Sequence, residues 1–440
     1  MTDILTETPV WLEGKAINEV AFCKAFLQNR PLRCVNGRFY GTDGAVDDAT
    51  ISYEISTMLT AHVSYGIAKK VQALTAALKL LIHSEPFKTR PDEIHLLNGT
   101  LRTDGTFTPE KKICVNRLNV EYRPELRTGA YYPERFLTFL TELLEPEDIN
   151  TLQEYMGYCM IPSTKGQSML FIIGNGEEGK SRITKLMSHI WGNSMVAGKF
   201  QRIEHDRFFR YNLVDKLVMF DDDMEMDALK NTGILKSLVT CETPMDVEAK
   251  GKQSEQVKLY ARIMGLGNGT PKSLYDKSDG YARRLLILTT KPKPPNRIND
   301  PDIADKFITE KEKIFLWMFD GLQRLIANGF RFTKSAKTVA NIKEAVADNC
   351  NIIEFINDGS YITLDENAAS STTNLYSAYL DWCSKNLATA LKKDAFSNWL
   401  KSNAEQYHLS FSTHVRNEQG REVRGYRGLC CHYAYCFDCE

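Results

Sequence analysis

Gly174-Asn-Gly-Glu-Glu-Gly-Lys-Ser181 is a complete G-x-x-x-x-G-K-[ST] loop, and its flanks give the match a structural meaning. The preceding Ser168-Met-Leu-Phe-Ile-Ile173 is an apolar run of strand length. The following Ser181–Ile190 stretch spaces Ile183, Leu186, Met187 and Ile190 as one face of a helix. Strand, glycine-rich loop and helix therefore come in the order a phosphate cradle requires. Gly174, Asn175, Gly176, Glu177, Glu178 and Gly179 are expected to present backbone N–H groups, with the positive end of the helix, to the β-phosphate of ATP. Lys180 is expected to reach the β/γ oxygens and Ser181 to ligate Mg²⁺.

A phosphate loop needs acids that order metal and water. The next apolar strand, Lys216-Leu-Val-Met-Phe-Asp-Asp-Asp223, ends in three of them, the Walker B arrangement. Asp221 and Asp222 fit the paired positions, one holding the metal's water shell and the other polarising the attacking water. Residue type does not divide the two roles; Asp222 is named with Ser181 as the metal-holding pair, and Asp223 is a weaker third candidate. Leu259–Pro271 is another strand ending in a polar residue, Asn268, whose amide can orient the lytic water, although Asn before Gly is also an ordinary turn. Asp279-Gly-Tyr-Ala-Arg-Arg-Leu-Leu-Ile-Leu288 then places Arg283 and Arg284 at the head of an apolar strand.

The composition sets bounds. A chain of 440 residues, 43% hydrophobic and 25% charged, is built like a soluble globular protein of roughly two to four domains. The net charge of −1 excludes nothing about nucleic acid, because Lys and Arg can gather on one face. No run of about 18 apolar residues and no signal-peptide pattern is present, so a cytoplasmic protein without membrane partners is expected. The cysteines number 11, an odd count, and Cys23, Cys34, Cys114, Cys159, Cys241, Cys350 and Cys383 sit in apolar contexts that suit reduced core thiols.

Along the chain, Leu32–Tyr40 reads as a hairpin turning at Asn36-Gly37, and Leu96–Phe107 adds turns at Asn98-Gly99 and Asp104-Gly105. Ile67–His83, Pro133–Cys159 and Ile308–Ala327 read as helical. The prolines of Lys291–Arg297 mark a boundary, and a final unit begins near Ala340.

Walker A, the Asp221/Asp222 pair and a strand ending in Asn268 with Pro271 after it resemble the A, B and C motifs of superfamily 3 helicases. Leu96-Leu-Asn-Gly-Thr, the Phe136–Leu144 helix and Gln153–Pro162 look like the helicase-associated domain of poxvirus and phage/plasmid primase-helicases. The resemblance covers about residues 20–430 and implies an α/β chain in three parts: an N-terminal α+β helicase-associated domain with helical collar (1–160), an AAA+ P-loop core (161–335) and a C-terminal winged-helix domain (340–440). It implies an ATP-driven replicative DNA helicase of a mobile element, a homo-hexameric ring moving 3′ to 5′ on single-stranded DNA. Rival readings are an ATP-gated origin-binding initiator and a helicase loader or remodeller. On the family pattern Arg284 is the first choice for an arginine finger given to a neighbouring subunit, with Arg283 second. Many relatives carry an upstream primase-polymerase domain for which the residues before 174 leave no room, so primase activity is not carried over, and where priming is needed a separate primase or polymerase supplies it.

Two basic elements suit DNA. Val247–Gln253 can form a hairpin with its tip near Gly251, flanked by Lys250 and Lys252; in the family the corresponding hairpin projects into the central channel and grips the phosphate backbone. Leu375–Cys383 and Ala395–Lys401 read as amphipathic helices, followed by strands around a turn at Asn417–Gly420 that carry Arg416, Arg421, Arg424 and Arg427, suited to duplex or forked DNA. Trp382, Phe396 and Trp399 read as core. Zinc at Cys430, Cys431, Cys436 and Cys439 is the rival to a plain final strand with reduced thiols, since these ligands crowd one short segment where a zinc unit usually presents two separated pairs.

Overall fold

A computed structural model describes residues 9–127, 133–224, 233–251, 253–269, 279–293, 300–348, 351–386, 388, 390–416 and 420–433. These fall into two compact units. The first takes the described residues up to Gly269 together with Asp279–Asn341, and the second those from Ile342 on. Among the described residues no helix is long and apolar enough to cross a membrane.

The first unit is a mixed α/β structure around a five-stranded parallel sheet. Its strands are β1 (Met169–Gly174), β2 (Met195–Ala197), β3 (Val218–Met224), β4 (Arg262–Asn268) and β5 (Leu285–Thr289), in the spatial order β2-β3-β4-β1-β5. The central strands are covered on both faces, which explains why Met169–Gly174 and Leu285–Leu288 are unbroken apolar runs with every residue buried. The helix Ser181–Trp191 buries Ile183, Leu186, Met187, Ile190 and Trp191, the face its periodicity predicts.

The expected helix over Pro133–Cys159 is two helices, Glu134–Leu143 and Pro146–Tyr158. The second packs on Lys311–Ala327 closely enough that a Cβ at Gly157 would run into the Met318 carbonyl, and one at Gly321 would lie 2.6 Å from the Gln153 carbonyl oxygen. Buried Glu154 fixes the crossing by accepting from Arg324 Nε at 2.7 Å and from the Thr333 N–H at 2.7 Å. Arg262, 1% exposed at the head of β4, donates to the Tyr158 hydroxyl (2.9 Å) and the Tyr260 carbonyl (2.7 Å), so hydrogen bonds to neutral groups hold this buried charge. The apolar core runs without a break from Leu96 and Leu101 through Phe136 and Tyr155 into Leu170, Ile172 and Leu286.

Ahead of it, the helices Glu19–Asn29, Asp48–Thr60 and Ile67–Leu81 pack with the meander Leu32–Val35, Arg38–Gly41, Gly44–Val46 around Phe22, Phe39, Ile55 and Leu74. Asn36 (φ 49°) and Gly37 (φ 74°) both adopt the left-handed conformation that a two-residue hairpin turn needs. The second hairpin turns one residue earlier than its Asn-Gly pair suggests. Leu96 pairs with Gly99, so the loop is Leu97-Asn98. Asn98 is held by Tyr122, donating to its carbonyl at 2.9 Å and accepting from its N–H at 3.0 Å, and a Cβ on Gly99 would strike Thr108 and the Phe107 ring. The helix expected over Ile308–Ala327 forms as Lys311–Ala327, and a separate short helix, Ile303–Ile308, precedes it.

The second unit packs the helices Asn351–Asn357, Thr372–Lys385 and Lys393–Ser402 against an antiparallel sheet with Glu422–Cys431 between Ile362–Ser371 and Ser410–Arg416. Phe355, Tyr379, Trp382, Phe396 and Tyr426 fill its core, with Trp399 packed at the edge. The aromatic residues of this unit are thus core, as their spacing predicts. Cys23, Cys34, Cys114, Cys159, Cys241 and Cys383 are buried free thiols, and Cys350 lies outside the described residues.

Candidate nucleotide site and nucleic-acid surfaces

All five strands run in parallel, so their C-terminal ends meet along one edge, and this edge carries an open cleft of about 1700 Å³. The loop leaving β1 forms one wall. Gly176 (φ 106°), Glu177 (φ 63°) and Gly179 (φ 98°) turn its backbone into a concave row of N–H groups, a nest for an anion. A side chain at Gly174 would collide with Thr290 and with the ammonium of Lys180, so that position must be bare. Lys180 is 7% exposed and ends the loop where the Ser181–Trp191 helix begins. Glu178 lies in the nest: its carboxylate accepts from the Asn175 N–H (2.5 Å), the Gly176 N–H (3.1 Å) and Lys180 Nζ (2.7 Å). Glu177 points outward and pairs with Lys293 at 3.7 Å.

The other walls come from β3 and β4. Ser181, Asp222, Asp223 and Asn268 line the same cleft. Asn268 pairs in register with Gly174, and its Oδ1 lies 4.0 Å from where a Cβ on Gly176 would be. An irregularity after Asp221 in the β3–β4 register leaves Asp222 and Asp223 exposed toward the cleft, while Asp221 is 1% exposed and turned away. Asp221 accepts from the Phe200 N–H at 2.9 Å and lies 3.6 Å from Lys199 Nζ. Burial pushes its carboxyl above the usual range against the pull of the Phe200 N–H and Lys199. The structure therefore brings together Lys180, Ser181, Asp222, Asn268 and Asp223, and sets Asp221 behind them. A hydroxyl and two carboxylates are hard oxygen donors, the set that suits Mg²⁺.

Arg283 and Arg284 are not in this cleft. They head β5, whose Leu285 pairs with Met169 at the opposite end of β1, and the Arg284 carbonyl accepts from the Met169 N–H at 2.8 Å. Arg283 is exposed; burial and its neighbour Arg283 pull the Arg284 guanidinium below its ordinary range, with Glu242 opposing.

The hairpin forms as the sequence suggests, from Met245–Val247 and Glu255–Val257. Lys250 and Gly251 (φ 77°) are exposed at its tip, and Lys252 lies outside the described residues. What the sequence conceals is its anchor. Arg38, on the N-terminal meander, donates to Glu255 at 2.5 Å, pairs with Asp215 at 3.4 Å and stacks 4.4 Å over the Tyr211 ring. Tyr40 adds a hydroxyl donated to Asp215 at 2.6 Å.

In the second unit Arg416, Arg421, Arg424 and Arg427 are all exposed on or beside the last two strands; Asn417, Glu418 and Gln419 of the expected turn lie outside the described residues. Cys430 and Cys431 close the final strand, with Cys430 Sγ 4.0 Å from His432 Nδ1, whereas Cys436 and Cys439 lie outside the described residues, as does Pro271.

A family of unknown function, DUF5906, matches residues 172–284, from the middle of β1 to Arg284. No curated protein matches the chain. Among solved structures it is similar to the C-terminal region of NrS-1. One A-form apo structure of that region has 10% sequence identity and a TM-score of 0.51 over 92% of this chain and 98% of the other. A second, of its residues 305–718, has 11% identity and a TM-score of 0.51 over 94% of this chain and 100% of the other. At these identities the likeness is one of fold: the chain shares the overall fold of the NrS-1 C-terminal region.

Proposed function

We propose that this chain is an ATP-dependent DNA helicase of a replicating mobile element, related to superfamily 3 and working as a homo-hexameric ring. The observation that carries the reading is the convergence of Lys180, Ser181, Asp222 and Asn268, from three strands, on one cleft at the C-terminal edge of a parallel sheet, where open α/β sheets bind their ligands. The nest and Lys180 bind and orient the phosphates of ATP. Ser181 and Asp222 would hold Mg²⁺, which when bound would neutralise phosphate charge. Asp223 or Asp222 polarises the attacking water and Asn268 orients it, a reading supported by their lining one cleft.

Arg283 and Arg284 sit at the far end of the sheet from their own Lys180, so a finger role requires a second subunit, and this favours the ring over a monomeric ATPase. Strand order β2-β3-β4-β1-β5, with the phosphate-loop strand flanked by β4 and β5, suits an AAA+ core. The second unit, three helices on an antiparallel sheet with exposed arginines, suits a winged helix that touches forked or duplex DNA. Lys250 at the hairpin tip serves backbone contact with the single strand. Translocation runs 3′ to 5′ in the cytoplasm. Strand separation of a forked substrate with DNA-stimulated ATP hydrolysis tests the reading. Tight origin binding without unwinding would mark an initiator, and hydrolysis indifferent to DNA a loader.

A further inference from the structure

The carboxylate of Glu178 makes the contacts that the cradle is built to offer a phosphate. Two successive backbone donors, Asn175 N–H at 2.5 Å and Gly176 N–H at 3.1 Å, bind one oxygen each, and Lys180 Nζ binds at 2.7 Å. Both side chains of the ion pair are nearly closed off, 5% exposed for Glu178 and 8% for Lys180, so little solvent competes. A nest of N–H groups and an ammonium select for negative charge, whichever group bears it. Burial works against the charge of Glu178, yet the Lys180 hydrogen bond and the backbone N–H groups hold its carboxyl below the usual range. Glu178 therefore remains ionised at neutral pH.

We infer that Glu178 is a built-in competitor for the phosphate cradle, a residue that must leave before a β-phosphate can enter. The inference rests on the nucleotide reading of the cleft and adds what fills the cradle before a nucleotide does. A nucleoside di- or triphosphate brings more charge and more acceptor oxygens than one carboxylate, so it can displace Glu178. Adenosine has nothing to place in the nest. The exchange weakens the affinity for phosphorylated nucleotides below what the loop geometry alone would give.

Glu178→Gln keeps the size of the side chain but cannot neutralise Lys180, and Glu178→Ala removes it. The full chain, with Lys180→Ala as reference, should be titrated with fluorescent ADP, a nonhydrolysable ATP analogue and adenosine. Both Glu178 variants should bind the two phosphorylated ligands about tenfold more tightly than wild type, the size expected for releasing one charged contact set, while adenosine is unaffected. Equal or weaker binding of ADP by both variants overturns the inference alone, as does an equal gain for adenosine, since either result removes competition for the phosphate position. Absence of phosphorylated-ligand binding by wild type and both variants alike overturns it together with the nucleotide reading.

Discussion

The two ends of the parallel sheet carry opposite chemistry. At the C-terminal end, Lys180, Ser181, Asp222, Asp223 and Asn268 surround one cleft and offer it both charge signs. At the N-terminal end stand Arg283 and Arg284, with Glu242 acting on Arg284, and the length of β1 separates them from the loop of their own chain. A parallel sheet makes this division inevitable, because side chains at strand heads and strand ends cannot meet around one ligand. Under the proposed function the difference implies that the molecule holds two half-sites and that hydrolysis requires their pairing between subunits.

The largest effect expected is at the cleft end. Lys180→Ala should lower ATP hydrolysis by roughly 10³-fold or more and abolish unwinding, measured by phosphate release and by strand separation, with some loss of thermal stability because buried Glu178 is left without its partner. Next, at the opposite end, Arg284→Ala should lower hydrolysis by about 10³-fold with nucleotide affinity nearly unchanged, and Arg283→Ala should do less. A matching loss of nucleotide affinity would place Arg284 in the binding step and erase the contrast.

Within the cleft end, neighbouring acids sharpen the comparison. Asp222→Asn should reduce hydrolysis by roughly 10²-fold. Asp221→Ala should act on stability, by about 1–3 kcal/mol in urea unfolding, because it strands the buried Phe200 N–H. A raised folded-state carboxyl gives stability that is present at acid pH and lost as pH rises through the folded value, so wild type should lose a small stability increment above about pH 4 that Asp221→Ala lacks. A larger catalytic loss at Asp221 than at Asp222 would reverse this division of labour. The smallest effect belongs to the hairpin. Lys250→Ala should weaken single-stranded DNA binding and reduce its salt dependence by about one counterion per subunit, with no change in nucleotide affinity.

The cleft end was legible in the sequence because a phosphate loop is local: strand, glycines, Lys180 and helix are contiguous, and the apolar runs leading to Asp222 and Asn268 can only be strands. The same locality made Trp382 and Phe396 readable as core. What the sequence concealed depends on approach across distance. Arg38 meets Glu255 only because the N-terminal meander lies beside the hairpin, and the Asn98 turn is set by Tyr122 rather than by its own dipeptide. Asp223 reaches the cleft through a strand irregularity that no residue pattern announces. Glu178 carries a signal that could have been read, an acid inside a loop designed for anions, but its inward rotamer is a property of the fold.

Mixing the two disabled proteins tests the central claim most directly. Lys180→Ala retains an intact arginine end and Arg284→Ala an intact cradle, so ATP hydrolysis on single-stranded DNA should be near zero for each alone and return in the mixture as shared sites form. A mixture as inactive as its parts, or full activity of Arg284→Ala by itself, would contradict a site divided between subunits.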